Sequence, residues 1–259
     1  MTFGETLRGY RQRRRLSQLD LALRANTTQR HLSFVESGRS TPGRDLVVRL
    51  ATSLDLPLRE QNGLLLAAGF APLVSDSGPD GPELSAVRQA LQEVLDGHRP
   101  YPAFVMNRHG DVLAVNDAMG VMTEGAAPEL CQGRWNAYRM GLHPQGMAPR
   151  VRNLAHWSRH ILGNLRAELT RNPDDRLAAL VTELEGYAPP AADVPHLGFA
   201  VPLELASRQG DLRLLAMIAT FTTAHDAAVT DLKLETFLPA DPNTATRLRA
   251  AQPDRTLIQ

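Results

Sequence analysis

The sequence predicts an α+β protein in two parts: an all-helical bundle over residues 1–70 and a sheet-and-helix domain over residues 83–259. In the first seventy positions, apolar residues recur at i, i+3 and i+4 in one short segment after another, the period of helices with one buried face. Residues 71–82, APLVSDSGPDGP, are rich in Pro, Gly, Ser and Asp with little to bury, and read as a linker. Beyond them the pattern changes to two strand-like runs, four helical stretches and three more strand-like runs. That is the order of an antiparallel sheet with helices folded over one face.

Phe3 to Arg15 forms the first helix, with Phe3, Leu7 and Tyr10 at helical spacing and a basic end, Arg11-Gln12-Arg13-Arg14-Arg15, that the helix dipole favours. Ser17 caps a second helix carrying Leu19, Ala22 and Leu23 on one side. Asn26 ends it, since Asn tolerates the left-handed turn conformation. Thr27 or Thr28 caps a third helix with Leu32 and Val35 inward, leaving Gln29, Arg30, Ser33 and Phe34 outward. Ser37-Gly38 stops it and Pro42 forbids immediate continuation. Leu46–Leu54 and Leu58–Gly69 supply two further helices. Two short helices joined by a tight turn, the second offering Gln and Arg in its exposed first turn, match a helix-turn-helix, which puts that end into the DNA major groove. The alternative is a plain four- or five-helix bundle.

The second part opens with a helix, Glu83–Leu95. Residues 103–107 and 111–116 are two strands joined across Arg108-His109-Gly110, a hairpin signal. Helical stretches follow near 117–123, 134–141, 149–171 and 174–186, the long one with Leu154, Trp157, Ile161, Leu162 and Leu165 on one stripe. Strand character returns in 198–207, 212–223 and 232–237, with Gly210 turning between the first two.

Charge divides along the same line. The 259-residue chain has zero net charge, but residues 1–70 hold 11 Arg against 6 acids, and the remainder 17 Lys plus Arg against 22 acids. A basic module joined to an acidic one suits DNA binding by the first and another task by the second. One Lys, Lys233, stands against 27 Arg. The lone Cys131 excludes an internal disulfide and agrees with a reducing cytoplasm; it reads as an apolar filler before a redox switch. No signal-peptide-like run opens the chain and no stretch of about 20 apolar residues would span a bilayer, so a soluble cytoplasmic protein is expected. Nothing resembles a phosphate loop, a dinucleotide fingerprint or a nucleophile elbow, and no enzyme is expected.

Ser17-Gln18, Ala22 and Glu36-Ser37-Gly38-Arg39 resemble the phage-repressor (Cro/XRE-type) helix-turn-helix family. The resemblance implies that Gln29, Arg30, Ser33 and Phe34 face the bases, Arg on guanine, Gln on adenine and Phe on thymine methyls. Gln18, Thr28 at the recognition-helix N-terminus, Arg39, Arg44 and Arg15 are the phosphate candidates. Arg11 and Glu36 fall where that family places a structural ion pair. In the second part Tyr101-Pro102-Ala103, the strand ending at Asn116, Trp135-Asn136, His143-Pro144 and Leu234-Glu235-Thr236-Phe237-Leu238-Pro239-Ala240-Asp241 resemble the ligand-binding domain of MmyB-like regulators. This implies a PAS-like fold holding a small hydrophobic, fatty-acid-like molecule. Where that family has Gly-Thr-Pro between the last two strands, this chain has Thr223-Ala224-His225.

An apolar ligand needs hydrophobic walls and a few polar anchors. The wall candidates are Phe104, Met106, Met119, Met122, Trp135, Tyr138, Met140, Trp157, Ile161, Phe199, Phe221 and Phe237, each equally readable as plain core. Asn116 and His143 are polar candidates, Asn116 reading equally as a helix cap; Asn136, Arg139, Arg150 and Arg152 are candidate carboxylate partners. His156 and His160 lie one turn apart, but with no Glu between them and no third ligand a metal is not expected. No cofactor is required. The whole reads as a homodimeric regulator of an inverted-repeat operator on double-stranded DNA, whose affinity a small hydrophobic ligand shifts. The alternatives are a C-terminal domain that only dimerises, a haem or flavin PAS sensor, or an enzyme carrying a DNA-binding head.

Overall fold

The computed structural model describes residues 2–75, 84–190, 201–221 and 226–251, and the chain divides into two compact units. The first contains the described residues through 84, with 170–172 and 226–230. Its helices are α1 (Phe3–Arg13), α2 (Gln18–Arg24), α3 (Gln29–Glu36), α4 (Arg44–Ser53) and α5 (Leu58–Ala67). Capping residues fix where the first three begin. Thr2 with Glu5 and Ser17 with Asp20 form reciprocal capping boxes, and the Thr28 hydroxyl accepts from His31 N–H. Asn26 takes φ +50° in the tight α2–α3 turn. After α3, Gly38 at φ +73° lets Arg39 N–H reach the Phe34 carbonyl at 2.8 Å and Gly38 N–H the Val35 carbonyl at 3.2 Å, the two bonds of a Schellman stop.

One expectation for this unit changes. Leu19 and Leu23 do not face inward: they are 50% and 69% exposed, while Leu21, Ala22 and Ala25 are buried. The helix spans only 18–24, and the face that meets α3 and α4 is the one at 21, 22 and 25. With 3.6 residues per turn, Leu19 and Leu23 sit roughly 110° and 150° from the centre of that face. The core otherwise gathers Phe3, Leu7, Leu32, Val35, Val47, Leu50, Leu54, Leu64 and Leu65. Residues 73–74, expected in the linker, are held to this core instead. Buried Asn62 accepts from the Leu73 and Val74 amides and donates to the Val74 carbonyl. The rest of the expected linker, residues 76–82, lies outside the described residues.

The second unit opens with α6 (Ser85–Gly97), then β1 (Ala103–Met106) and β2 (Val112–Val115), turned by Gly110 at φ +85°. After short helical turns, α7 (Gly120–Thr123) among them, come α8 (Ala137–Leu142), α9 (Leu154–Arg171) and α10 (Asp175–Glu185). β3 (Leu203–Leu205) and β4 (Leu212–Thr220) follow. The β4–β5 connection carries α11 (Ala227–Thr230), which belongs to the first unit, and β5 (Lys233–Pro239) leads into α12 (Pro242–Ala250). All pairings are antiparallel in the order β2-β1-β5-β4-β3, a PAS-like α+β sheet.

Alternation along the strands separates two faces. Phe104, Met106, Phe237, Leu203, Leu205, Leu212 and Leu214 enter the large core with Trp157, Leu162 and Leu165 of α9 and Leu177, Val181 and Leu184 of α10. Ala103 and Val105 turn the other way and meet Leu91 and Leu95 of α6. The long helix begins at 154 rather than near 149 because residues 150–152 pair with β3: Arg152 N–H donates to the Glu204 carbonyl and Ala206 N–H to the Arg150 carbonyl, both at 2.8 Å. The helix α12 has no counterpart in the expected elements. Asp241 caps it, Leu248 is buried, and the Thr244 hydroxyl accepts from Arg213 N–H. No helix among the described residues is long and apolar enough to cross a membrane.

Candidate nucleic-acid interface and ligand-binding face

The first unit is built around a buried charge. Arg11 from α1 grips Glu36 at the end of α3 through Nε–Oε1 at 2.6 Å and Nη2–Oε2 at 2.9 Å, and the Glu36 side chain is fully covered. Burial alone would push the Glu36 carboxyl up. The hydrogen bonds from Arg11 and Gln18, with the charges of Arg11 and Arg8, outweigh it and hold the carboxyl below the usual range. Gly4 lets the two helices close on this pair: a Cβ there would stand 2.5 Å from the Glu36 carbonyl oxygen. The pair thereby fixes α3 against α1.

With α3 fixed, its outer surface is defined. Gln29 and Arg30 are exposed in its first turn, Ser33 and Phe34 half-buried one turn on. Phe34, expected as a contact to thymine methyls, also has two cations over its ring, the Arg30 guanidinium 5.5 Å and the Arg39 guanidinium 4.9 Å from the ring centre. An aromatic face attracts each cation by about 0.5–1 kcal/mol at an exposed site, so Phe34 orders both arginines before any ligand arrives. The signal available in the sequence was the i, i+4 spacing of Arg30 and Phe34.

The phosphate candidates divide. Thr28, Arg15, Arg39 and Arg44 are exposed, Arg44 at the N-terminal end of α4, where the helix dipole disfavours a cation. Gln18 is half-buried and its amide donates to Glu36 Oε2 at 2.9 Å, so one of its two N–H groups is spent on the scaffold. Of the basic run, Arg14 binds the Leu54 and Asp55 carbonyls and Arg13 lies over the Tyr10 ring. Both are structural.

In the second unit Phe104, Met106, Met119, Met122, Trp157 and Phe237 are buried in the large core, with Trp135, Tyr138 and Ile161 half-buried against it. Met140 is buried, and its carbonyl accepts from Met147 N–H. Phe221 is 38% exposed, and Phe199 lies outside the described residues, as do Thr223, Ala224 and His225. The cap reading of Asn116 is corrected: its side chain makes no cap bond to the following turn, but donates to the Leu95 and Tyr101 carbonyls and accepts from Ala103 N–H, joining α6 to the sheet. His143 stands edge-on to the Tyr187 ring and accepts from Gln145 N–H.

The expected carboxylate partners are engaged elsewhere. Arg139 pairs with Glu183 at 2.6 and 2.7 Å, Arg150 donates to the Val121, Met122 and Ala206 carbonyls, and Arg152 reaches Asp211 at 3.4 Å. Asn136 donates to the His109 carbonyl and caps α8, binding the hairpin turn to that helix. This seats Tyr138 on Gly110, where a Cβ would lie 2.4 Å from its ring.

The inner face presents one group absent from the sequence candidates. Glu235 lies in a cross-strand row between Phe104 of β1 and Ile218 of β4. Side chains of directly paired residues share a face, about 4.5–5.5 Å apart at Cβ. Burial pushes the Glu235 carboxyl up to about 7 despite the opposing charge of Lys233. Burial, with the negative charges of Glu235 and Glu168, likewise pushes the Tyr138 hydroxyl well up, which places it within electrostatic reach of both acids. A Glu alternating with inward residues at 233 and 237 was the sequence signal. Cys131 is half-buried with its thiol pushed up by burial, and no cluster of metal-ligating residues occurs among the described residues.

Residues 87–251, more than half of the chain, match the family described as MmyB-like transcription regulator ligand binding domain, and residues 7–61 match a helix-turn-helix family. Among solved structures, the restriction-modification controller protein C.AhdI from Aeromonas hydrophila is similar at 34% sequence identity, over 23% of this chain and 89% of that one, with a TM-score of 0.22. No curated protein matches.

Proposed function

The chain belongs to the MmyB-like family of transcription regulators, with a Cro/XRE-type helix-turn-helix ahead of the ligand-binding domain, and from that premise we propose a sequence-specific regulator whose operator affinity changes when a small hydrophobic, fatty-acid-like molecule occupies the second unit. Two copies read an inverted repeat with half-sites about one DNA turn, roughly 34 Å, apart.

The observation that carries the reading is the α3 surface, on which Gln29 and Arg30 are exposed at a capped N-terminus and both Arg30 and Arg39 stack on the Phe34 ring. Arg30 reads a guanine, Gln29 an adenine, and Ser33 lies beside them. Thr28, Arg15, Arg39, Arg44 and the remaining amide hydrogen of Gln18 take phosphates. Apolar walls from Phe104, Met106, Met119, Trp135, Tyr138, Trp157, Ile161 and Phe237 suit a hydrocarbon chain, and Met adapts to one easily. The ligand acts only by binding the two DNA-affinity states unequally.

The test is a titration of the full-length protein onto an operator obtained by selection, with and without 1-dodecanol. A several-fold change in Kd supports the reading. Unchanged DNA affinity, with the alcohol bound, removes the regulatory half of it.

A further inference from the structure

The polar end of a hydrophobic ligand must meet something on the inner face, and the residues there define its chemistry. Glu235 stands with Phe104 on one side and Ile218 on the other, and Phe237 follows two residues along the same strand. Phe104 is buried whereas Ile218 is half exposed, so the row runs from a closed apolar end to an open one with the carboxyl between. Tyr138 faces the same region from α8, held by Gly110, and Glu168 does so from α9. Neither the Glu235 carboxyl nor the Tyr138 hydroxyl has a hydrogen-bond partner among the described residues, yet both residues keep accessible surface. Two polar groups left open toward one region of a largely apolar face offer a ligand head group an acceptor and a donor.

The cations that would neutralise a carboxylate are committed elsewhere: Arg139 to Glu183, Arg150 to three backbone carbonyls. Lys233 shares the face, two residues from Glu235, and its charge lowers the Glu235 carboxyl without cancelling the effect of burial. A second carboxylate beside Glu235 would meet a group of like charge directly, with Lys233 two residues along the strand.

We infer that this domain takes an apolar molecule through a head group that donates a hydrogen bond, with Glu235 as the acceptor and Tyr138 beside it: a hydroxyl, or a carboxylic acid in its undissociated form, and not a free carboxylate. The inference rests on the ligand-binding reading above and names the chemistry of that same face. A fatty acid entering here keeps one proton between its own carboxyl and that of Glu235. Among the described residues, the titratable or charged groups that couple to this region are Tyr138, Glu168 and Lys233; β1 and β4 contribute the uncharged Phe104 and Ile218 to the row.

Two probes with one hydrocarbon chain, 1-dodecanol and dodecanoic acid, are titrated calorimetrically into the full-length protein at pH 6.5 and 8.5. With the Glu235 carboxyl titrating at about 7, dodecanoic acid weakens about 25-fold between the two, because the complex keeps a proton that neither free partner carries at the higher pH. Dodecanol changes by less than about threefold, since its hydroxyl donates at both pH values. Glu235→Gln, close in shape and checked by its melting temperature, abolishes the pH dependence of the acid. Tyr138→Phe weakens both probes at both pH values and leaves the slope in place. Equal affinity of the acid at the two pH values, or a slope that survives Glu235→Gln, overturns the inference while leaving a hydrophobic ligand in place. Binding of neither probe removes the ligand-binding reading itself, and this inference with it.

Discussion

Replacing Arg11 with Ala strips the main counter-charge from a carboxylate that the first unit has taken wholly out of water. Breaking a buried ion pair from one side costs about 3–5 kcal/mol, because the remaining charge stays desolvated. Glu36 would keep the Gln18 amide at 2.9 Å and the half-exposed Arg8 guanidinium at 3.5 Å, which points to the lower end, about 3 kcal/mol. For a domain of this size about 1 kcal/mol corresponds to 4–8 °C, so its unfolding midpoint should fall by roughly 12–24 °C. Urea and thermal unfolding of the full chain, followed by circular dichroism, measure this directly. Arg11→Met with Glu36→Leu removes both charges and should recover most of the loss. The acid limb gives a second reading. Glu36 is held below its ordinary 4.5, so the stability it contributes is present above about pH 4.5 and is lost as pH falls through the depressed folded value. Glu36→Gln should lack that limb. An Arg11→Ala protein within about 1 kcal/mol of wild type would refute the reasoning, since the pair would then be no more than a surface contact.

Four further outcomes follow from the geometry. Phe34→Ala should weaken operator binding by up to about 5- to 30-fold, the loss of two cation–π contacts of roughly 0.5–1 kcal/mol each, with a melting temperature lowered by no more than those contacts account for; an unaffected Phe34→Leu variant would make the residue a methyl contact instead. Arg30→Ala should cost about 1–3 kcal/mol on the operator and relax one base pair, whereas a uniform loss on all sequences would mark Arg30 as a phosphate contact. Gly110→Ala meets both a left-handed backbone and the Tyr138 ring at 2.4 Å, and should lose about 1–3 kcal/mol in chemical denaturation. Glu235 has its folded value raised, so its contribution is full below about pH 4.5 and lost as pH rises through about 7; wild type should lose up to about 3 kcal/mol relative to Glu235→Gln between pH 4.5 and 8.5, measured by urea unfolding.

The helical head was readable because its signals are local. Ser17 and Thr28 bond within their own first turns, Asn26 and Gly38 take left-handed conformations that few residues adopt, and the Leu32–Val35 spacing marks the buried side of α3. The facing of α2 was misread because Leu19, Leu21, Ala22 and Leu23 put apolar residues on almost every side of a short helix. Spacing alone could not choose among those sides; contact with α3 and α4 does. In the sheet, the order of elements along the chain was legible, whereas the strand order β2-β1-β5-β4-β3 emerges only from the pairing. The start of α9 was not legible either, since the pairing of residues 150–152 with β3 joins positions some fifty residues apart. The helix α12 stayed hidden because only Thr244 and Leu248 are buried along it, too few to show a period. Glu235 was overlooked for a related reason. A single acid in a strand reads as solvent-facing until its cross-strand neighbours, Phe104 and Ile218, are known.

The claim that α3 reads DNA sequence is tested most directly by selecting bound duplexes from a random pool with the full-length protein, and repeating the selection with Arg30→Ala. The account predicts an inverted repeat, half-sites about one helical turn apart, with a guanine in each that the variant no longer enriches. A pool that stays random under wild-type selection, or an identical enriched sequence with Arg30→Ala, would contradict it.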